Sequence, residues 1–432
     1  MEQTHPREGT VGGAVVTGRA RSSLALNNLR GVVILVVLGF HSALAYLAWL
    51  PAGAFPFDES PYEWRAFPIV DLHRWFGFDL ICAWQDVYLM SLMFFLSALF
   101  TWPSLARKGR RKFLGDRFLR LGLPFVLAVI VIMPLALYPV YRVTAADPSL
   151  GAYARHYLAL PFWPNGPMWF LWQLLALTLV AAGLHRFAPG WVQSLGRWSS
   201  STALYPGRLF AGLVVASTLA YVPVAVLFTP LDWNEHGLFA VQYCRPLHYL
   251  VYYGAGLAVG AYGLERGLLA VGGMLARHWA RWLAAALASV MLWMGLTGLA
   301  MSYRTSAPLF LQIVVDSSFS IACASGCFFV MAACLRFGAR RSRILDSLAS
   351  NAFGMYLFHY IFVVWLQYAL LGVALFAIAK ASIVFGGTVV MAWASSSVMR
   401  FVPYWTRFIG AGRPAPRKAI SVAGDFAARE AS

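Results

Sequence analysis

The chain has 432 residues, 60% of them hydrophobic and only 12% charged, against about 25% charged in an average soluble protein. That balance excludes a soluble globular enzyme. The net charge of +17 raises nucleic acid as a partner, but the placement of the charges points to membrane orientation instead.

Apolar stretches near the ~20 residues that cross a bilayer recur along the whole chain. They predict ten spans, at 28–49, 84–103, 119–140, 167–187, 208–229, 242–262, 279–300, 309–335, 348–370 and 380–400. With both termini on one side, all but seven of the 34 Lys and Arg lie on that side; the exceptions are Arg65, Arg74, Arg142, Arg155, Arg245, Arg304 and Lys380. Such an excess marks the cytoplasmic face, so the basic balance needs no nucleic-acid partner. The expected fold is an all-α integral membrane bundle of about ten transmembrane helices with both termini cytoplasmic. Residues 1–27 and 401–432 read as cytoplasmic tails around a transmembrane domain at 28–400. Residues 1–27 are polar and the first apolar run is a full span rather than a short h-region, so no cleavable signal is expected.

The first span, LRGVVILVVLGFH, begins with Arg30 and carries His41 past mid-membrane. Eleven residues at 100° each bring the two about 20° past three full turns, on one helix face, and ~16 Å apart along the axis. Arg30 can reach water at the cytoplasmic edge, whereas His41 cannot. An intramembrane ionisable group is costly and usually faces a cavity or the bundle interior. The bland reading is a histidine bonded to a backbone carbonyl. The functional reading is a general base, because a ring held neutral by apolar surroundings accepts protons at neutral pH.

The first external loop, about 50–83, holds Asp58, Glu59, Glu63, Asp71, Asp79, Trp64 and Trp75. Carboxylates and rings together suit a carbohydrate-facing surface; an interfacial aromatic belt is the alternative. Other external loops carry Asp147, Asp232 and Glu235.

The segment RKGRRKFLGDRFLRLGLPF at 107–125 is a basic loop that runs into the third span. Arg117 and Arg120 are three residues apart, on one face of a helix, near the depth of Arg30. Guanidinium groups at one level can hold phosphates bidentately. A phosphate-holding rim would then lie roughly one pantetheine arm from a buried base, a spacing that suits acyl-coenzyme A. The ninth span places His359, in NAFGMYLFHYIFVVW, 11 residues in from 348, again ~16 Å deep and level with His41. Asp316, within the eighth span, could orient one of the histidines or pair with an external arginine. Five cysteines (Cys82, Cys244, Cys323, Cys327 and Cys334) form no CxxC. Cys323 and Cys327 share a helix face without a neighbouring ligand to complete a tetrahedral site, so they read as small packing residues and no metal is expected.

Five segments in order resemble a known family. LRGVVILVVLGFH is similar to the first-span signature of the membrane acyltransferase family 3, FFLSALF at 94–100 to its FFxSGF segment, and RFLRLGLPF at 117–125 to its RxxR motif. GPMWFLWQLL at 166–175 resembles its WFL segment and YLFHY at 356–360 its YLxH segment. One departure is visible: Ala98 stands where the family has Gly after Ser97. The resemblance implies transfer of an acetyl or succinyl group from cytoplasmic acyl-coenzyme A to an external or lipid-linked glycan, in the inner (plasma) membrane. The segment order looks most like the branch with the glucan succinyltransferase. It implies His41 as catalytic residue, with His359 beside it, and Arg30, Arg117 and Arg120 at the donor site. His41 would either take the proton of a sugar hydroxyl or carry the acyl group itself. An oxyanion stabiliser is needed, for which Trp169, Tyr356 and His359 are candidates. The rival reading is a secondary transporter or glycan flippase that uses Arg30, His41 and Asp316 as a pathway.

Overall fold

The computed structural model describes residues 9–402 except 231, 265–266 and 305; for 9–21, 235 and 236 it describes the backbone alone. The expected tail at 403–432 and the side chain of Glu235 therefore lie outside the described residues.

Ten helices follow one another in the expected order. They are α1 (Gly9–Ala43), α2 (Phe76–Ala98), α3 (Arg110–Thr144), α4 (Trp169–Phe187), α5 (Pro206–Phe228), α6 (Arg245–Tyr262), α7 (Trp279–Met301), α8 (Leu309–Phe337), α9 (Arg343–Ala369) and α10 (Ala377–Met399). Among the described residues, nine helices are long and apolar enough to cross a bilayer. The tenth, α6, is helical where a span was expected but carries His248 and four tyrosines. It tolerates them because it is shielded from lipid by α2, α5 and the helix Pro189–Ser200.

Gly256 and Gly260 of α6 make that shielding tight. A side chain at either would run into the carbonyl oxygens of Phe95 and Leu99 on α2, the close approach that small residues four apart permit between membrane helices. The Cβ of Ala98 faces Gly256. The methyl that this chain adds where the family has Gly is thus taken up by a glycine on the partner helix.

Three boundaries differ from expectation. Helix α1 starts at Gly9 and is continuous through residue 27, with Ala25 and Leu26 already in the core. Helix α2 starts at Phe76 rather than 84, so Asp79 lies on a helix and not in the loop. In α3, two π-helical segments, Phe118–Gly122 and Ala128–Ile132, interrupt the α-helix. Each ends two residues before a proline, Pro124 and Pro134. A proline lacks the N–H for the i−4 carbonyl and its ring crowds that carbonyl, and a widened turn relieves both.

The external segment between α1 and α2 is folded inward more than its composition suggests. Trp64 is fully buried, stacks on Phe57 at 4.8 Å and donates its indole N–H to the Phe57 carbonyl at 3.0 Å. Asp58 pairs with His156 at 2.9 Å, and Asp71 is buried. The carbohydrate-facing reading therefore loses Trp64 and Asp71, while Trp49 and Trp75 stay exposed. A hairpin of two strands, β1 (Trp233–His236) and β2 (Phe239–Gln242), caps α4. Asn165 and the Trp172 indole donate to the hairpin carbonyls of Leu238 and Ala240.

Candidate active site

Helix α1 runs unbroken from Arg30 to His41, so the two keep the shared face and the ~16 Å separation that helix geometry gives. Helix α1 packs along α9, and this brings His41 and His359 together with ring centroids 5.1 Å apart. Tyr360 lies edge-on to His41 at 5.7 Å.

The two rings are held differently. His359 is fully buried, and its Nδ1 hydrogen-bonds to the carbonyl of Tyr356, one turn back. A neutral ring donates from Nδ1 there, so Nε2 presents a lone pair. That Nε2 is buried and has no partner in the protein. His41 keeps part of its surface accessible, and its buried Nδ1 also lacks a protein partner. The bland reading, a ring tied to a carbonyl, thus describes one nitrogen of His359 and nothing of His41. Two ring nitrogens left unbonded inside an apolar bundle are unfavourable for stability and are the groups available to a ligand. The position of His41 is fixed through its backbone: Gln367 Nε2 donates to the His41 carbonyl at 3.0 Å.

Aromatic rings extend from the histidine pair. Tyr356 lies 5.7 Å from His359 and 6.1 Å from Phe170. Phe94 joins Phe170 at 4.9 Å to Tyr249 at 4.7 Å, and Tyr249 stacks on Trp169 at 5.9 Å. Three of the sequence segments, FFLSALF, WFL and YLFHY, therefore meet in one aromatic cluster. Of the three candidate oxyanion donors, Tyr356 gives its hydroxyl proton to the Pro167 carbonyl and neutral His359 points a lone pair inward. Trp169 is the one whose N–H is not committed elsewhere among the described hydrogen bonds.

At the other end of α1, Arg30 is exposed, with its guanidinium 4.8 Å over the Phe100 ring. Arg117 is half-buried and close enough to repel Arg30 electrostatically. Its Nη2 donates to Thr101 Oγ1 at 3.4 Å, and its guanidinium lies 5.2 Å over Phe113. Thr101 also accepts from the Tyr253 hydroxyl at 3.4 Å and donates to the Ser97 carbonyl at 3.2 Å. This network fixes Arg117 without neutralising it. Asp116, the nearby carboxylate, is taken by Lys108. Among the described residues no carboxylate lies within ion-pair distance of Arg30, Arg117 or Arg120.

Arg120 is exposed and close enough to Arg117 to repel it electrostatically, and a π segment, whose turn is longer, begins between the two. Asp316 does not reach the histidines; its electrostatic neighbours are Tyr221 and Cys244. The external Arg245 pairs with Asp86 at 2.8 Å instead. Sequence reasoning also missed His248, whose Nε2 lies 3.4 Å from Cys323 Sγ. The two are 75 residues apart on different helices, and no local pattern signals such a pair. No group of three His, Cys, Asp or Glu that could hold a metal exists among the described residues.

These features define a membrane-embedded histidine site with a cationic rim. Residues 23–397 match the family described as "Acyltransferase domain", acyltransferase family 3. The chain belongs to that family, and it is a multi-pass membrane acyltransferase that transfers groups other than amino-acyl groups. The transporter reading gives way to this membership. No curated protein and no solved structure matches the chain.

Proposed function

We propose that the protein takes an acetyl or succinyl group from cytoplasmic acyl-coenzyme A and transfers it to a hydroxyl of an external or lipid-linked glycan, in the inner (plasma) membrane. The observation that carries this reading is one helix, α1, that runs from Arg30, unneutralised and beside Arg117, to His41, which with His359 of α9 forms a pair with a buried, unpartnered ring nitrogen on each ring. Arg30 and Arg117 would hold the nucleotide phosphates at the rim, with Arg120 as an outer contact. A flexible arm of ~16 Å then places the thioester at His41.

The chemistry balances on His41. Its ring nitrogen takes the proton of the acceptor hydroxyl as that oxygen attacks the thioester carbonyl. The C–S bond breaks, and the thiolate receives the proton back from the imidazolium. Alternatively, the imidazole attacks the thioester carbonyl first, the C–S bond breaks and the thiolate leaves with the ring N–H proton; the hydroxyl oxygen then attacks the acyl-imidazole, the C–N bond breaks and the hydroxyl proton returns to the ring. In either route, the His359 lone pair can accept an N–H of His41 as positive charge develops on that ring, provided the rings move slightly closer.

The test is release of coenzyme A by purified protein, with and without a glycan acceptor. Release that depends on acceptor supports the reading. No release with acetyl- or succinyl-coenzyme A across a panel of glycans counts against it.

A further inference from the structure

Beyond His41, toward the external face, lies a cluster that this mechanism does not use. Lys380 on α10 and Asp71 in the external segment 47–75 are both fully buried. Lys380 Nζ donates to Asp71 Oδ2 at 2.7 Å and lies 3.3 Å from His73 Nδ1. Asp71 Oδ1 accepts the His73 backbone N–H at 2.8 Å and lies 3.2 Å from the same ring nitrogen. That nitrogen either accepts from Lys380 or donates to Asp71, according to which ring nitrogen holds the proton. The His73 side chain is 45% exposed, so it links the buried pair to the outside.

The segment is bound across the end of α1. Asp71 N–H donates to the Ala45 carbonyl and Trp75 N–H to the Tyr46 carbonyl. Ala45 is four residues beyond His41, or about 6 Å along a helix axis. Arg74 holds the carbonyls of Leu50 and Pro51, and Asp79 accepts from the N–H groups of Ala48 and Trp49. Beneath the segment, Ala43, Leu44, Leu47, Leu50, Val70 and Cys82 form an apolar cluster separate from the main core.

Next to this segment and His41, the buried Tyr46 hydroxyl and Gln367 Oε1 have no protein partner. Gln367 is the residue bonded to the His41 carbonyl, and the Tyr46 ring is close enough to Asp71 to feel its charge. A buried ion pair holds a permanent fold no better than apolar packing would. Its use here, beside unpartnered polar groups that lead to the histidine, fits a closure that must open.

We propose that Lys380 and Asp71 latch the segment 47–75 over the acceptor entrance, so that a hydroxyl-bearing acceptor reaches His41 when this ion pair opens, with Tyr46 and Gln367 meeting its hydroxyls on the way. The inference rests on the reading above that the acceptor enters from the external side. Lys380 and Asp71 are positioning residues in this scheme.

Cys82 supplies a native reporter that does not depend on activity. In sealed vesicles with the external face outward, a membrane-impermeant maleimide is applied, and peptide mass spectrometry locates the adduct. Alkylation of Cys82 is expected about tenfold faster in Lys380→Met than in the unaltered protein, the change that corresponds to ~1.4 kcal/mol. The charge-exchanged pair Asp71→Lys with Lys380→Asp is expected to restore the slow rate. Cys323 and Cys327, deep in the bundle, stay unreactive in all of them, which separates opening from unfolding. The KM for acceptor falls in Lys380→Met, and acyl-coenzyme A is hydrolysed without acceptor because water now reaches the thioester. Asp71→Asn undergoes the same measurements if Lys380→Met does not insert. Unchanged Cys82 alkylation in the variant that inserts overturns the latch. Faster alkylation with an unchanged KM for acceptor and no hydrolysis overturns its role as the acceptor entrance. Faster alkylation in a protein whose unaltered form turns over no acyl-coenzyme A leaves the latch standing and sinks the proposed function instead.

Discussion

Replacing His41 separates chemistry from structure more cleanly than most active-site substitutions can. The ring makes no hydrogen bond within the protein. Its surroundings are the rings of Phe40, His359 and Tyr360, at 5.2, 5.1 and 5.7 Å. The bond that fixes its position, from Gln367, goes to the backbone carbonyl and survives any side-chain change. His41→Ala therefore leaves no partner orphaned and should lower stability by only about 1–2 kcal/mol. Its effect on rate is far larger. Loss of a general base slows transfer by about 10²–10⁴-fold, or roughly 2.7–5.4 kcal/mol at 1.36 kcal/mol per tenfold. His41→Gln keeps size and polarity but cannot take a proton, and because the side chain has no structural hydrogen bond to replace, it should be as inactive as Ala. The assay is acceptor-dependent release of coenzyme A, alongside thermal unfolding in detergent and binding of acyl-coenzyme A. Gln restoring the rate to within about threefold of the unaltered protein, far short of that range, would refute the argument and make His41 a hydrogen-bonding residue. Both variants dead but still binding donor would uphold it. Trapping acyl-histidine in a quenched reaction without acceptor then separates nucleophile from base.

Other consequences are open to direct measurement. Arg117→Ala should raise the KM for acyl-coenzyme A roughly 10–150-fold, the equivalent of one charge-assisted hydrogen bond, and leave the KM for acceptor alone; the reverse pattern would remove Arg117 from the donor site. Arg120→Ala, at a more exposed arginine, should shift that KM by less than Arg117→Ala, and an equal or larger shift would place both arginines equally at the phosphates. Gly260→Leu should drive a side chain into the Leu99 carbonyl and lower stability by about 1–3 kcal/mol, read as a fall in melting temperature; an unchanged transition would mean that α6 does not press on α2. Counting α6, ten crossings would put both termini on one side, which the basic excess assigns to the cytoplasm; a terminal reporter active only outside the cytoplasm would overturn this topology.

Much of this arrangement is legible from local rules, and the rest depends on partners far away in sequence. Hydropathy finds the helices because a lipid-facing stretch must be apolar along its full length, and it grades α6 as too polar because that helix is covered by protein. The 100° step places Arg30 and His41 on one face without further information, since nothing between them disturbs the helix. Between Arg117 and Arg120 the chain is not a plain α-helix: a π segment precedes Pro124, and a count of residues does not register it. Depth alone aligns His359 with His41, but which nitrogen is free depends on the Tyr356 carbonyl. The pair of Asp71 and Lys380 is separated by 309 positions. In the sequence it looks like one loop acid and one external lysine; only the packing of α10 against the external segment makes it a buried pair.

The unbroken stretch of α1 between Arg30 and His41 acts as a ruler. Between them stand Val33, Ile34, Val37 and Leu38, all buried and all aliphatic, so on the proposed reading the stretch would offer the donor's arm no hydrogen bond and set only a length. Selection of the proposed donor would then fall at the two ends, phosphate at one and thioester at the other, with the distance between them written as a number of residues. One residue added between 31 and 40 would turn His41 by 100° away from His359 and lengthen the span by ~1.5 Å, while four added residues would bring it back to within about 40° of the original face but ~6 Å too far. Side chains along this stretch can drift among aliphatic types with little consequence, whereas its length cannot change at all.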